Sequence, residues 1–134
     1  MTIKEKIGSL YVVNKNTEKV TFILSFDKLP ANYKIPIALG LFGLKKNEIY
    51  NMTLTIFYDN KEIINDNSIV IDANNLEIRK NNTFTDGIIG STFDLSSPII
   101  NFISGMYTIK MELFKSGSSQ PLDTAKTYVY AKQD

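Results

Sequence analysis

The sequence contains no cysteine, no histidine and no tryptophan. Without cysteine there is no disulfide and no thiolate, either as a nucleophile or as a metal ligand. Without histidine there is no imidazole to act as a base near neutral pH, to bind zinc or to hold a haem iron. Any catalysis would therefore have to use carboxylates, lysine, tyrosine or hydroxyl groups.

The sequence also lacks an excess of charge and a long apolar segment. Lysine and arginine number 15 against 14 acidic residues, so the net charge of +1 provides no electrostatic footprint for nucleic acid. The longest apolar stretch, residues 35–44, is half of the roughly 20 residues that a membrane-spanning helix needs. The first ten residues contain no apolar core of a signal peptide. We expect no membrane insertion and favour a cytoplasmic location.

Length and residue usage give two further expectations. A chain of 134 residues is the size of one domain, so we predict a single domain over residues 1–134. The chain has 18 isoleucines, 13 asparagines and 14 lysines, but Arg79 is its one arginine. This usage is typical of codons rich in A and T, and it favours a bacterial or phage origin.

Alternation of apolar and polar residues dominates what is present, which is the pattern of half-buried β-strands. In residues 20–26, 49–58 and 106–114 every second residue is apolar. The predicted inner faces hold Val20, Phe22, Leu24 and Phe26, then Tyr50, Met52, Leu54, Ile56 and Tyr58, and finally Tyr107, Ile109, Met111 and Leu113. In the predicted last strand, residues 122–132, one face holds Lys126, Tyr128, Tyr130 and Lys132.

The apolar residues 35–44 predict a further, buried strand. Its predicted inner residues are Ile35, Ile37, Leu39 and Leu41. Its other face holds Ala38 and Gly40, so we expect a neighbour to pack closely over it. Asp59 and Asn60 tolerate positive φ and predict a tight hairpin between two strands.

The middle of the chain is less clear. Residues 69–71, 76–79, 83–85 and 88–95 are short strand-like pieces whose order cannot be read from alternation. Ser97 and Pro98, followed by apolar residues with helical spacing, resemble the beginning of a helix. For residues 98–104, a short helix and a strand therefore both stay open.

Gly105, Met106 and Tyr107 lead into a strand, a hairpin connection and the final strand. This segment resembles the last hairpin of immunoglobulin-like β-sandwiches, in which a tyrosine at this corner bonds through its hydroxyl to nearby backbone. The resemblance implies an all-β, immunoglobulin-like antiparallel β-sandwich of seven to nine strands, with a structural role for Tyr107. The cysteine and tryptophan signature of antibody domains is absent.

The carboxylates form no recognisable catalytic or metal site. Most of them, such as Asp27, Asp59 and Asp86, stand among turn residues, and Glu112 alternates outward with Lys110. The stretches 59–62 and 65–67 hold oxygen ligands that Ca²⁺ prefers, but without the spacing of an EF-hand. Nucleophile elbows, phosphate loops and dinucleotide fingerprints are missing. We therefore predict no catalytic residue, no cofactor and no metal site, and expect that the protein is not an enzyme.

Surfaces remain as candidates for function. Ile23, Ile49 and Phe57 interrupt otherwise polar outer faces, and Tyr128 and Tyr130 are the tyrosines with the best prospect of exposure. These five residues are our predicted interaction surface. We predict a non-enzymatic interaction or structural module that acts through a sheet face or an edge strand, with a protein partner or a copy of itself. The alternative is a carbohydrate- or small-ligand-binding module whose tyrosines stack on the ligand.

Overall fold

Nine β-strands form two sheets in the computed structural model, which describes residues 3–75, 83–85 and 87–134. In spatial order the four-stranded sheet contains β1 (Lys6–Val12), β3 (Ala31–Lys45), β7 (Ile88–Phe102) and β6 (Thr83–Thr85). The five-stranded sheet contains β2 (Ile23–Phe26), β9 (Asp123–Gln133), β8 (Gly105–Lys115), β4 (Ile49–Tyr58) and β5 (Lys61–Asp72). A short 3-10 turn, Ala73–Asn75, follows β5.

The strand order is that of an immunoglobulin-like sandwich. In the usual lettering, β1, β3, β7 and β6 take the places of strands A, B, E and D, and β5, β4, β8 and β9 those of C′, C, F and G. All paired strands are antiparallel except β2 and β9, which run parallel. The prediction of an all-β sandwich with seven to nine strands is therefore confirmed, and the order of the middle strands is now defined.

The core lies between the inner faces that alternation predicted. In the middle of β3, β4 and β8, the residues predicted to face inward are buried, for example Ile37, Met52 and Ile109. Side chains of a strand alternate between its two faces. Apolar residues at every second position therefore point from both sheets into the space between them. The buried cluster also includes Val12 of β1, Phe102 of β7 and Val129 of β9.

The prediction for Val20 and Phe22 is wrong. They are 50% and 66% exposed, whereas Leu24 is buried. β2 begins at Ile23, and the carbonyl oxygen of Phe22 just before it accepts a hydrogen bond from the Tyr130 N–H. Before that point Val20 bridges to Val13, and the N–H of Thr21 bonds to the carbonyl oxygen of Val12. The apolar alternation thus begins before the strand does, and its first two residues are not covered.

At Gly40 the close neighbour is a side chain of the adjacent strand in the same sheet, whereas the expectation was a neighbour packed over this face. Gly40 lies on β3 opposite Ser9 of β1, and a Cβ built on Gly40 would collide with the Ser9 hydroxyl oxygen. Glycine at this position leaves room for the Ser9 side chain of the edge strand β1.

Of the two alternatives for residues 98–104, the structure shows the strand, because β7 continues to Phe102. Ile100 and Phe102, two residues apart, are buried, whereas Ile99 is 61% exposed and belongs to the face that a helix would have buried. At Pro98 the register with β3 shifts, and the Ser97 hydroxyl accepts a hydrogen bond of 2.8 Å from the Ile35 N–H. The bulge accommodates proline, which cannot donate to the ladder, and the serine that resembled a helix cap serves the sheet.

The corner before β8 is built as the immunoglobulin resemblance implied. The Tyr107 hydroxyl accepts a hydrogen bond of 3.0 Å from the Ile103 N–H and donates one of 3.2 Å to the Ile103 carbonyl oxygen. Gly105 has a φ of 143°, and a Cβ there would lie 2.7 Å from the hydroxyl oxygen of Tyr58. The Tyr58 ring thus packs against Gly105, and its centroid lies 4.9 Å from that of the Tyr107 ring.

The β4–β5 hairpin confirms the turn predicted at Asp59 and Asn60, whose φ angles are 47° and 67°. Residues 61–64 and 69–71, separate pieces in the sequence pattern, belong to one long edge strand, β5. The predicted strand-like piece at residues 76–79 lies outside the described residues. No helix in the described part of the chain has the length and hydropathy that a membrane span requires.

Candidate interaction surface

Four of the five predicted surface residues lie on one end of one sheet face. Ile23 on β2, Tyr128 and Tyr130 on β9, and Phe57 on β4 all point away from the core on the five-stranded sheet. Ile49 lies at the opposite end of β4, eight residues from Phe57, which is about 27 Å along a strand. The structure thus brings four of the five together and separates the fifth.

Three apolar side chains form a row across this end of the sheet. In the strand register Tyr130 pairs with Ile23 on one side and with Met106 of β8 on the other. Ile23 is 49% exposed, Tyr130 48% and Met106 45%. Direct cross-strand neighbours have Cβ atoms about 5 Å apart, so the three side chains present one continuous apolar strip to solvent.

A second row lies beside the first. Tyr128 pairs with Thr108 of β8, and Thr108 pairs with Phe57 of β4. Tyr128 is half exposed, Phe57 is half-buried, and the short Thr108 between them is buried. We call Ile23, Met106, Phe57, Tyr128 and Tyr130 together the outer-face patch.

Met106 is the member of the patch that sequence reasoning did not name. The signal was present, because alternation in β8 places Met106 on the side opposite to Tyr107. Its position beside Tyr130, however, depends on how β8 pairs with β9, which alternation within one strand does not define.

Lysines border the outer-face patch along β9. Lys126 precedes the two tyrosines on the same face, Lys132 follows them, and both lysines are exposed. Lys126 stands directly opposite Lys110 of β8, which makes an ion pair of 3.7 Å with Glu112. Lys132 stands opposite Ser25 of β2. The two rows of apolar residues therefore lie between two positive charges.

A buried carboxylate elsewhere in the molecule serves the fold. Glu5 is buried, and its carboxylate accepts a hydrogen bond of 2.9 Å from the hydroxyl of Tyr50 on β4. The same hydroxyl accepts a bond of 2.9 Å from the Lys45 N–H. Burial raises the pKa of Tyr50. With these partners the pair ties the segment before β1 to the opposite sheet.

Two cavities of the described part of the chain differ in their lining. One of about 260 Å³ opens between β5 and β7, and its lining is mainly apolar: Leu39, Ile69, Val70, Ile71, Phe93 and Leu95, with Asp72. Another of about 420 Å³ lies on the outer side of the four-stranded sheet, near Tyr11 and Asp94. Within the described ranges no three acidic side chains come close enough to hold a metal ion.

These features define a class of protein: a two-sheet β-sandwich with an apolar, lysine-bordered patch on one outer face. Among solved structures it resembles a bacterial adhesin from Mobiluncus mulieris that contains intramolecular disulfide, isopeptide and ester bond cross-links, with a TM-score of 0.64, 8% identity, and coverage of 97% of this chain and 58% of the adhesin chain. It also resembles Bacteroides uniformis beta-glucuronidase 2, with a TM-score of 0.62, 10% identity, and coverage of 96% of this chain and 14% of that one.

At these identities the resemblance concerns the fold. The chain spans less than two thirds of the adhesin chain and about a seventh of the glucuronidase chain. The absence of cysteine excludes a disulfide like that of the adhesin. The sequence matches no protein-family model, and it matches no curated protein at a significant level.

Proposed function

We propose that this protein is a non-catalytic binding module that contacts a protein partner through the outer-face patch. The observation that carries the proposal is the row of Ile23, Tyr130 and Met106, three apolar side chains in direct register that are each nearly half exposed. Contiguous exposed apolar surface on a folded domain marks an interaction site more often than isolated apolar residues do.

The residue types of the patch favour a protein as the partner. Tyrosine, phenylalanine and methionine are enriched at protein interfaces. Tyrosine also buries a large area at little cost in side-chain entropy, because it has only two side-chain torsions. Sugar recognition requires polar groups that converge on hydroxyls, commonly amides or carboxylates beside an aromatic ring. In the two rows the polar groups are the tyrosine hydroxyls and the buried Thr108. The carbohydrate alternative is therefore the weaker of the two.

The fold supports the same proposal. The structural neighbours include a part of an adhesin and a part of a glycosidase, and a small sandwich of this kind serves in such proteins as one unit of a longer chain. The scattered carboxylates agree with a non-catalytic role.

The test is selection of ligands against the folded domain. A phage-displayed peptide library is selected on the wild-type protein, and each selected peptide is measured against Tyr130→Ser and Ile99→Ser. Ile99 is a matched control because it is an exposed apolar residue on the other sheet. We expect Tyr130→Ser to weaken binding about 10- to 30-fold, since tyrosines at interface centres are energetic hot spots, and Ile99→Ser to leave it unchanged.

Two outcomes would contradict the proposal. One is a set of selected peptides whose affinity is the same for wild type and Tyr130→Ser. The other is a strict monomer in light scattering that selects no peptide and binds glycans on an array with loss of binding in Tyr130→Ser, which would establish the carbohydrate alternative.

A further inference from the structure

The cavity of about 420 Å³ on the outer side of the four-stranded sheet has an aromatic ring and a carboxylate on opposite sides. In the strand register Tyr11 of β1 pairs with Ala38 of β3, and Ala38 pairs with Asp94 of β7. Ala38 points outward, because its neighbours Ile37 and Leu39 are buried. Adjacent strands lie about 4.8 Å apart, so the tyrosine and the aspartate stand about 10 Å from each other across the small alanine. We call this cavity the Tyr11 pocket.

The turn between β1 and β2 forms a further side of the Tyr11 pocket, through Asn14, Lys15 and Glu18. Backbone hydrogen bonds hold this turn in place. The Glu18 N–H donates to the Asn14 carbonyl oxygen at 2.8 Å, and the Val13 N–H donates to the Pro36 carbonyl oxygen of β3 at 3.0 Å. The side-chain oxygen of Asn14 accepts two further N–H groups of the same turn, so its amide NH₂ remains as a donor.

The polar groups of the Tyr11 pocket are not engaged with one another. Among the described residues, the carboxylates of Glu18 and Asp94 and the hydroxyl of Tyr11 have no hydrogen-bond or ion-pair partner. The carboxylates are acceptors, the Asn14 amide and the Lys15 ammonium are donors, and the Tyr11 hydroxyl is both. The pocket therefore offers both kinds of hydrogen-bonding group beside an aromatic ring.

This combination meets the requirement for sugar recognition that the outer-face patch does not meet. A pyranose ring presents C–H groups that pack on an aromatic ring, and its hydroxyls each donate and accept hydrogen bonds. The volume of about 420 Å³ lies within the range of roughly 300 to 1,000 Å³ typical of small-ligand sites. The charged lining residues are Glu18, Asp94 and Lys15, so an anionic ligand would meet two carboxylates against one ammonium group.

We propose that the Tyr11 pocket binds a neutral saccharide, whose ring packs on Tyr11 and whose hydroxyls donate hydrogen bonds to Asp94 and Glu18. The inference goes beyond the proposed function and does not depend on it. The Tyr11 pocket lies on the outer side of the four-stranded sheet, whereas the outer-face patch lies on the outer side of the five-stranded sheet. A chain with both sites would connect a protein partner to a glycan.

The probe is a microarray of neutral and acidic oligosaccharides, followed by isothermal titration calorimetry with the neutral oligosaccharide that gives the strongest signal. We expect the full wild-type chain to bind neutral oligosaccharides in preference to sialylated and uronic-acid ones. Tyr11→Ser removes the ring and should weaken the affinity at least about 10-fold. Tyr11→Phe keeps the ring and should remain within about 5-fold of wild type, because it loses one neutral hydrogen bond at most.

The carboxylate is tested by Asp94→Asn, which keeps the shape of the side chain and removes its charge. The affinity should fall about 5- to 10-fold, since hydrogen bonds to a charged acceptor are roughly twice as strong as neutral ones. Asp27→Asn is the matched control at an exposed carboxylate outside the pocket. Ile99→Ser is the control for an exposed apolar residue on the four-stranded sheet, and we expect both controls to bind like wild type. Urea unfolding curves establish that each variant is folded before affinities are compared.

Three results would overturn the inference. The first is a microarray on which the wild-type chain binds no oligosaccharide, and the second is a preference for acidic oligosaccharides. The third is an affinity that neither Tyr11→Ser nor Asp94→Asn changes, as when the binding is lost in Tyr130→Ser instead. Peptide binding at the outer-face patch is measured on Tyr11→Ser in parallel, and we expect it to be unchanged. Loss of one kind of binding without the other then identifies which of the two proposals fails.

Discussion

The two faces of the β8–β9 pair differ in what their side chains do, although the same alternation produces both. On the inner face Tyr107 is buried, and its ring centroid lies 4.7 Å from that of Phe102. Its hydroxyl accepts a hydrogen bond from the Ile103 N–H. On the outer face Tyr130, paired with the residue just before Tyr107, has a side chain that is about half exposed. Tyrosine on the inner face packs and hydrogen-bonds within the fold, whereas tyrosine on the outer face is exposed to solvent. The two faces therefore differ in what covers them, not in residue type: the other sheet covers the inner face, and solvent covers the outer face.

The largest expected effect tests whether side chains on the two faces contribute differently to the free energy of unfolding. Ile109→Ala on the inner face should lower the free energy of unfolding by about 3 to 4 kcal/mol, because the side chain is fully buried and its removal leaves a cavity. Met106→Ala, three residues earlier and facing outward, is the matched control and should cost less than about 1 kcal/mol, since the side chain is already in contact with water. Urea unfolding measures both, and equal losses would contradict the distinction between the faces.

A smaller effect is expected at the corner tyrosine. Tyr107→Phe removes a hydroxyl that accepts from the Ile103 N–H and donates to the Ile103 carbonyl, and should cost about 1 to 2 kcal/mol at neutral pH. Tyr130→Phe, which keeps the exposed ring, should leave the unfolding midpoint in urea nearly unchanged. An unchanged midpoint for Tyr107→Phe would refute the structural role of the corner hydroxyl.

The same variant has a signature at alkaline pH. Burial raises the pKa of Tyr107 above its ordinary value of 10.0. The folded state then holds the proton more tightly than the unfolded state, so this contribution to stability is present below pH 10 and is lost as the pH rises above it. The stability difference between wild type and Tyr107→Phe should therefore become smaller above pH 10 in urea titrations.

The smallest expected effect lies on the outer face itself. Lys126→Thr removes one of two lysines that stand directly opposite each other and places a β-branched residue in a strand. It should raise the free energy of unfolding by a few tenths of a kcal/mol. Lys132→Thr, opposite the neutral Ser25, should lack the gain from relieved repulsion. Differential scanning calorimetry at low and high salt measures the difference, which should shrink as salt increases.

Much of the fold could be read from alternation because each strand with one buried face must place its apolar residues two apart. This holds for Ile35 to Leu41 on β3 and for Tyr50 to Ile56 on β4. It fails at Val20 and Phe22, where the pattern extends beyond the strand. For residues 98–104 a helix stayed open beside a strand, because the local helix-like motif at Ser97 and Pro98 contains no information that the strand β3 lies alongside. Pairing with β3 outweighed the local preference.

The candidate surface was readable only one residue at a time. That Ile23, Phe57, Tyr128 and Tyr130 point outward follows from the period of their own strands. That Tyr130 lies between Ile23 and Met106, and that Ile49 lies far from all of them, follows from the register between strands. Register depends on contacts between segments distant in the chain, so no single strand contains it.

The missing cysteine and histidine, the balanced charge and the period of two are properties of the sequence alone. They exclude thiolate and imidazole chemistry, and they define the inner face of most strands, because residue chemistry and alternation act locally. The tertiary structure decided which outer residues become neighbours. Ile23, Tyr130 and Met106 form an apolar strip between two lysines because β2, β9 and β8 lie side by side in the sheet.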